Sequence, residues 1–380
     1  MTPPAGKIRF DRNEVSGAFG DLGTSLPLIV GMIAAAHLDA TSVLVVFGAL
    51  QVVTGLVYKM PMPVQPLKAV AAIVIAQQVG ADVVYGGGLA IGVLMLLLVV
   101  TGSLDWLARI VPKVVVRGIQ CGLGLQLGRL AVADYVPSGG MAGYALAAVA
   151  FVIVVALLGN RRTPPAPIVL ALGALFALFV SGASAPAVAA LGVHLPVPHM
   201  PNVATVMSGF VLLAIPQIPL SLGNSVLATK QVAADLFPER SPLTIRRIGF
   251  TYSLMNIVSP LLSGIPVCHG SGGMAGHYAF GGRTGGSVII AGLGIATLGL
   301  LFGGSIGEVA MLFPKPMLGV LLLVEGVAIL SLLRDLTDRP RDFALAMLLG
   351  VVAAGLPYGY LVALVAGTVL ARLDRPMVTS

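Results

Sequence analysis

Charged residues are scarce in this sequence. Only 10% of its 380 residues are Asp, Glu, Lys or Arg, whereas 57% are hydrophobic and the mean hydropathy is +0.99. A soluble globular domain carries about 25% charged residues. So few charges cannot cover a water-exposed surface, and most of the exterior must therefore face lipid. The composition argues against a soluble fold and predicts an integral membrane protein.

Several chemical signatures are also missing. Cys121 and Cys268 both lie in apolar stretches, which argues against a disulfide framework. The net charge of +7 is scattered without a dense basic patch, so we expect no nucleic-acid partner. There is no Walker sequence, and the His and Cys residues lack metal-ligand spacing, so we expect neither ATP-driven transport nor a cofactor. The G-x-S-x-G match at residues 303–307 lies in a predicted outside loop, so we treat it as chance and predict no enzyme activity.

Apolar runs of bilayer-spanning length, about 20 residues, fill the chain instead. We predict an all-α polytopic membrane protein with fourteen transmembrane segments. Segments 3 and 10 are too short and too rich in Gly and Pro for simple spans, which predicts broken helices there. An acidic residue, Asp21, lies early in the first apolar run and is wrong for a signal peptide, so we predict that this run is retained. The predicted segments lie near residues 15–37, 41–58, 64–80, 86–104, 113–131, 141–159, 166–190, 204–222, 243–262, 268–281, 285–303, 314–332, 342–356 and 357–372.

The positive charges fall mainly on one side of this arrangement. With the N-terminus inside, the predicted inside loops carry eighteen of the 22 Lys and Arg residues. The predicted outside loops carry almost none. Four cations do not fit either group: Lys68, Lys113, Arg129 and Lys315. The positive-inside bias therefore predicts that both termini are cytoplasmic.

An internal repeat relates the two halves of the chain. Residues 61–69 read PMPVQPLKA and residues 264–275 read GIPVCHGSGGMA, and Pro63 and Pro266 are separated by 203 positions. The Pro-Lys pairs at residues 112–113 and 314–315 are separated by 202. Seven segments is an odd number, so the second half enters the membrane from the opposite side. We therefore predict an inverted repeat of residues 1–200 and 201–380, the plan of many secondary transporters.

The first candidate site motif is GDLGTSLP in segment 1. Asp21 is a membrane carboxylate, which is costly and usually functional or paired, and we predict a coupling role. The alternative is an interfacial residue that caps a helix or pairs with a loop arginine. Thr24 and Ser25 could donate to a bound anion, or bond back to their own helix.

The second motif is PVQPLK at the start of segment 3. Pro63 and Pro66 prevent a regular helix, so we predict an extended stretch and then a half-helix that starts near Gln65. Such a start offers free N–H groups and a positive dipole end to an anion. Lys68 lies in its first turn and would bind the same anion, pair with Asp21, or do both.

The remaining candidates lie in the second half. Gln217 and Asn224 belong to the segment PQIPLSLGNS, and they could bind a ligand or join helices by hydrogen bonds. The run after Pro266 is the inverted partner of the Gln65 half-helix and supplies a second helix start to the same site. Its predicted ligands are His269, Gly270, Ser271 and Gly272, with a buried neutral histidine as the alternative for His269. Glu325 in segment 12 is a second candidate for proton coupling, or a structural partner in an ion pair.

These motifs resemble the bacterial and plant molybdate transporter family, which is related to the sulfate permeases. The resemblance rests on GDLGTSLPL (20–28), PVQPLKAVAA (63–72), PQIPLSLGNSV (216–226) and CHGSGGMAGHYAFGGRTG (268–285). It implies a seven-plus-seven inverted repeat with core and gate domains. It also implies uptake of molybdate, with tungstate or sulfate as weaker substrates. Sulfate permeases usually carry a C-terminal cytoplasmic regulatory domain, and we expect none here because the chain ends at Ser380.

Paired helix starts together with Lys68 favour a tetrahedral dianion, and only the resemblance selects molybdate over sulfate. We expect a proton-coupled secondary transporter in the inner (cytoplasmic) membrane of a bacterium, surrounded by lipid and organised as a homodimer. The alternatives are a sulfate or other oxyanion permease, a nucleobase permease and an anion channel.

Overall fold

The computed structural model describes residues 7–104, 106, 111–157, 165–179, 192–240 and 243–373. The protein is mostly helical, at 78%. Helices dominate because a helix satisfies its own backbone hydrogen bonds, which no water can satisfy inside a bilayer. Five helical stretches are long and apolar enough to cross a membrane among the described residues: Ala40–Tyr58, Ala81–Val100, Val203–Leu236, Gly286–Gly303 and Lys315–Leu336.

Among the described residues of the first half, the helices are α1 to α8. Their bounds are Arg12–Gly17, Leu22–Ala36, Ala40–Tyr58, Lys68–Gln77, Ala81–Val100, Lys113–Arg129, Gly140–Ala156 and Pro165–Phe179. A π-helical turn, Leu130–Tyr135, extends α6.

In the described part of the second half, the helices are α9 to α17. Their bounds are Val203–Gly209, Ile215–Leu220, Ala228–Leu236, Ile245–Leu261, Ser271–Ala279, Gly286–Leu312, Lys315–Leu330, Pro340–Gly355 and Gly359–Leu373. Two π-helical turns, Phe210–Ala214 and Ser221–Leu227, join α9, α10 and α11, and a 3₁₀ turn, Ser331–Leu336, follows α15.

Several predicted boundaries differ from the structure, most clearly at the ends of segments 8 and 11. Segment 8 was expected to end near residue 222, but helix continues to Leu236 because its polar end residues extend beyond the apolar run. Residues 303–307 were expected to form an outside loop, but they lie inside α14. Glycine is tolerated there because it lets a neighbouring element approach closely, and Gly303 packs against Thr41.

The helices pack in two groups. In the first, α3 lies along α14, and α5 lies along α9 and α12. In the second, α6 lies along α15, α16 and α17. Small residues allow the close approach of α3 and α14, since a Cβ added to Gly55 would lie 2.7 Å from the carbonyl oxygen of Gly285. Helix α4 packs between the groups, with contacts to α2 and to α6.

Two short strands join the two halves of the chain inside the first group. Strand β1 (Val64–Pro66) pairs antiparallel with β2 (Val267–His269), and Gln65 lies opposite Cys268. Helix α4 follows β1, and α13 follows β2. The predicted extended stretch and half-helix are confirmed at both places, although the first half-helix begins at Lys68 rather than near Gln65.

Each strand is held by a buried amide side chain from a neighbouring helix. Gln51 on α3 donates to the carbonyl oxygen of Val64 at 3.0 Å and accepts from its N–H at 2.9 Å. Asn256 on α12 makes the same pair of bonds to Val267, at 2.6 Å and 2.9 Å. Unpaired backbone groups are costly when buried, so these amides allow the chain to leave the helical conformation here.

Candidate functional site

A cavity of about 250 Å³ lies where the two strands and the starts of α4 and α13 meet. Seven of the ten predicted ligand residues line it: Gln65, Lys68, Gln217, His269, Gly270, Ser271 and Gly272. Ser25 is buried outside its lining, and the side chains of Thr24 and Asn224 lie outside the described residues. The structure therefore brings together residues that are up to 207 positions apart in the sequence.

The start of α13 faces this cavity. Gly270 precedes the helix, and Gly270, Ser271 and Gly272 all contribute to the lining. No described side chain caps this helix start. The first N–H groups of a helix have no intrahelical partner, and they carry the positive end of its dipole. The start of α13 is therefore suited to bind an anion.

Gly270 is required by the packing at this point. A Cβ on Gly270 would overlap the side-chain amide of Gln65. Gln65 in turn donates through Nε2 to Oδ1 of Asp21, and Ser25 Oγ donates to Oδ2 of Asp21 at 3.0 Å. Asp21 precedes α2 but makes no side-chain capping bond to it. Asp21 and Ser25 thus hold Gln65, which lines the cavity.

The start of α4 is different, because a side chain already occupies it. Gln217 Oε1 on α10 accepts from the N–H groups of Ala69 at 3.1 Å and Val70 at 3.3 Å. Its Nε2 donates to Ser221 Oγ at 3.0 Å, and that hydroxyl is 2.7 Å from Tyr252 Oη. The expectation that both helix starts offer free N–H groups is wrong for these two groups of α4. Gln217 joins helices by hydrogen bonds and also lines the cavity.

Lys68 forms an ion pair across the boundary between the two helix groups. Its Nζ lies 2.8 Å from Oε1 of Glu325 on α15, whose side chain is only 7% exposed. The ion-pair partner that the structure gives Lys68 is Glu325, and the Asp21 carboxylate also acts on this lysine electrostatically. Because the lysine side chain is 36% exposed and lines the cavity, it remains accessible to a ligand.

His269 is completely buried and bonded to its neighbours. Its Nε2 lies 2.7 Å from Thr251 Oγ1, which is 2.6 Å from Tyr58 Oη. This arrangement fits the alternative of a buried histidine at Nε2, whereas the buried Nδ1 has no hydrogen-bond partner in the part of the chain that the structure describes. Among the described residues, no group of three or more His, Cys, Asp or Glu side chains could hold a metal ion.

Comparison with known proteins identifies the family. The family described as "Molybdate transporter of MFS superfamily" matches residues 13–127 and 209–329, which include all four motifs quoted above. This chain belongs to that molybdate transporter family. "Molybdate transporter 2" of Arabidopsis thaliana is 32% identical over 388 residues, covering 90% of this chain and 83% of the relative. "Molybdate transporter 1" of Chlamydomonas reinhardtii is 28% identical, covering 95% of this chain and 92% of the relative.

The fold of this family member is shared with anion transporters of known structure. The transmembrane domain of the cyanobacterial bicarbonate transporter BicA superposes with a TM-score of 0.66 at 16% identity, covering 92% of this chain and 99% of that one. Murine Slc26a9, in an inward-facing state, gives a TM-score of 0.70 at 15% identity, covering 97% and 70%. At these identities the likeness establishes the fold alone.

Sequence reasoning missed four lining residues of this molybdate transporter family member: Leu220, Ser225, Cys268 and Leu332. Cys268 could have been found, because it lies 203 positions after Gln65, the same offset that relates Pro63 to Pro266. The observed register places Gln65 opposite Cys268. Leu332 had no sequence signal, since its place depends on how α15 packs.

Proposed function

We propose that this protein takes up molybdate across the cytoplasmic membrane as a secondary active transporter, by alternating access at the central cavity. One observation carries the proposal: the uncapped start of α13 and the ammonium of Lys68 face the same buried cavity. The free N–H groups at the start of α13 and the cation of Lys68 suit a small dianion, and a cavity of about 250 Å³ holds one together with water. Family membership selects molybdate among oxyanions of this shape.

The Lys68–Glu325 ion pair supports proton coupling. A dianion that enters the cavity competes with the Glu325 carboxylate for the Lys68 ammonium. A proton on Glu325 neutralises that competitor and leaves Lys68 to the substrate, so proton and molybdate bind in concert. Asp21 is the second coupling candidate, because its protonation changes the hydrogen bond that holds Gln65.

The architecture in this proposal is two inverted repeats of seven segments, residues 1–200 and 201–380, arranged as core and gate domains. The antiparallel pairing of β1 with β2 and the equivalent clamps by Gln51 and Asn256 support it. The core corresponds to the helix group that contains α3, α5, α12 and α14. The gate corresponds to the group around α6. We propose a homodimer in a bacterial inner membrane with both termini cytoplasmic.

Calorimetric binding of molybdate, sulfate and uracil to the purified protein tests the substrate. We expect tight molybdate binding and weaker sulfate binding. Equal affinity would reassign the protein as a general oxyanion permease, and binding of uracil alone would overturn the anion site and favour a nucleobase permease.

Uptake into liposomes with an imposed pH gradient tests the coupling. We expect uptake to saturate at low molybdate and to accelerate when the outside is acidic. Uptake that ignores the gradient would refute proton coupling, and uptake that also fails to saturate would indicate a channel.

A further inference from the structure

A second cavity lies at the other end of α4. It measures about 600 Å³ and is lined by the end of α4, by α6 with its π-helical turn, and by α16. Helix α4 begins at Lys68 in the central cavity and ends at Gln77 in this second cavity. Nine residue steps of a helix span about 14 Å. The two cavities therefore lie one behind the other along α4.

The second cavity lies on the side that the charge distribution marks as outside. Helix α16 begins at Pro340, between Arg339 and Arg341, and ends at Gly355, which lines the cavity. The positive-inside bias places the arginines at the cytoplasmic face. The other end of α16, and the cavity with it, then faces outward.

Arg129 is the cation of this cavity. It is one of four cations that the positive-inside pattern left unexplained, and it is exposed at the end of α6. The ion pairs found among the described residues do not include it. The π-helical turn Leu130–Tyr135 follows at once, and such turns are frequent at functional sites. A cation on the outer side, unpaired and at a cavity wall, is available to an incoming anion.

The remaining polar lining fits the same ligand, with one exception. Gln77 offers a side-chain amide from α4, and Gln126 is fixed by the hydroxyl of Tyr360, which donates to its Oε1 at 2.7 Å. Asp134 is the exception, since its carboxylate opposes an anion.

We propose that this outer cavity is an entry site, which holds a tetrahedral oxyanion on Arg129 before the anion reaches Lys68. In the conformation described here, the route between the cavities is closed by apolar packing. The α4 residues from Ala69 to Ile75 are completely buried or within 1% of it, and α4 contacts α6. Because α4 lines the outer cavity together with two gate helices, movement of the core against the gate opens the route from one cavity to the other.

Uptake kinetics in right-side-out membrane vesicles test this inference, which rests on the proposed function. We expect Arg129→Gln to lower kcat/KM for molybdate entry roughly tenfold, because one charge is lost opposite a dianion. Arg129→Lys should retain most of the rate, and Asp134→Asn should raise kcat/KM about threefold. The control is Lys315→Gln, which removes the same charge at an exposed residue outside the cavity lining. Its kcat/KM for molybdate entry should stay within about twofold of the wild-type value.

Equilibrium binding to the purified variants separates entry from the central site. We expect the Arg129→Gln variant to bind molybdate at the central site with wild-type affinity. Its rate of uptake should no longer depend on the salt concentration. If Arg129→Gln matches Lys315→Gln in uptake, the entry site is refuted while the proposed function stands. If affinity falls as much as uptake, Arg129 acts on the central site or the fold and the inference is wrong. If the wild-type protein transports no molybdate, the proposed function itself fails and the inference with it.

Labelling tests the sidedness independently. Both native cysteines are buried, so a Gln77→Cys variant provides an accessible thiol. We expect a membrane-impermeant maleimide to label it in intact cells and to block uptake, with slower labelling when molybdate is present. Labelling only after permeabilisation, or labelling that molybdate does not slow, would overturn the outer entry site.

Discussion

The two half-sites of the central cavity have the same backbone plan but different side-chain chemistry. Each consists of a short strand, a short helix and an amide clamp from a neighbouring helix. At the start of α4 the first N–H groups bond to Gln217, and charge comes from Lys68. At the start of α13 the residues are Gly270, Ser271 and Gly272, without a described side-chain cap. The first half-site thus contributes a cation, and the second contributes backbone donors.

This division separates two tasks that a symmetric site would have to combine. Lys68 is held by Glu325 on the other helix group, so its availability depends on a proton and on the relative position of the groups. The backbone donors of α13 have no such dependence, because their geometry is set within one helix. We infer that the second half-site contributes to anion binding in every state of the protein. The contribution of the first half-site depends on the proton and on the relative position of the two helix groups.

Lys68→Ala is the strongest test of this division. We expect molybdate binding to weaken roughly 100-fold and the protein to lose about 3 kcal/mol of stability, because Glu325 is left buried without its partner. Lys68→Ala with Glu325→Gln should recover most of the stability but none of the affinity. Calorimetry and thermal unfolding in detergent measure both. Recovery of binding in the double variant would show that Glu325, rather than Lys68, controls the site.

Gly270→Ala tests the second half-site. The added methyl group would displace the Gln65 side chain, and overpacking of this kind costs about 1–3 kcal/mol. We expect roughly tenfold weaker molybdate binding in calorimetry. Gly294→Ala is the control, since no atom lies within 4 Å of its Cβ position and it is remote from the cavity lining. Equal binding by both variants would contradict the tight packing around Gln65.

The two amide clamps test the equivalence of the backbone plan. Gln51→Ala and Asn256→Ala each leave the N–H and C=O of one buried strand residue without these partners. We expect thermal unfolding to show that each variant loses about 2–3 kcal/mol of stability, and that the two losses are similar. A large loss of stability in one variant and none in the other would show that the two clamps contribute unequally to the stability of the fold.

Gln217→Ala should have the smallest effect. It removes the cap from α4, which costs about 1 kcal/mol, the usual value for a lost helix cap. It also makes the first half-site resemble the second, so molybdate affinity should change by less than about threefold. Ser221→Ala, which removes only the hydroxyl bonded to Gln217, is the matched control. A large loss of affinity in Gln217→Ala alone would give Gln217 a direct role in binding.

Local sequence signals predicted the broken helices well. The extended stretches were indicated by Pro63, Pro66 and Pro266, because proline cannot continue a helix upstream. The repeat offset of 203 positions relates Gln65 to Cys268, and these two residues lie opposite each other in the observed pairing of β1 with β2.

Long-range partners could not be predicted in this way. Asp21 was the only carboxylate expected to pair with Lys68, and the pairing with Glu325, 257 positions away, depends on how α4 packs against α15. The capping of α4 by Gln217 depends in the same way on the placement of α10. The helix through residues 303–307 was missed because glycine reads as a loop signal, whereas in lipid it also serves close packing.

The β1–β2 ladder has a mechanical consequence. It ties the two half-helices to each other, and Gln51 and Asn256 tie them to α3 and α12. The two half-sites of the central cavity therefore cannot separate without breaking buried hydrogen bonds. We therefore propose that a bound anion moves together with both half-helices as one rigid unit, and that the Lys68–Glu325 ion pair breaks and re-forms once in each transport cycle.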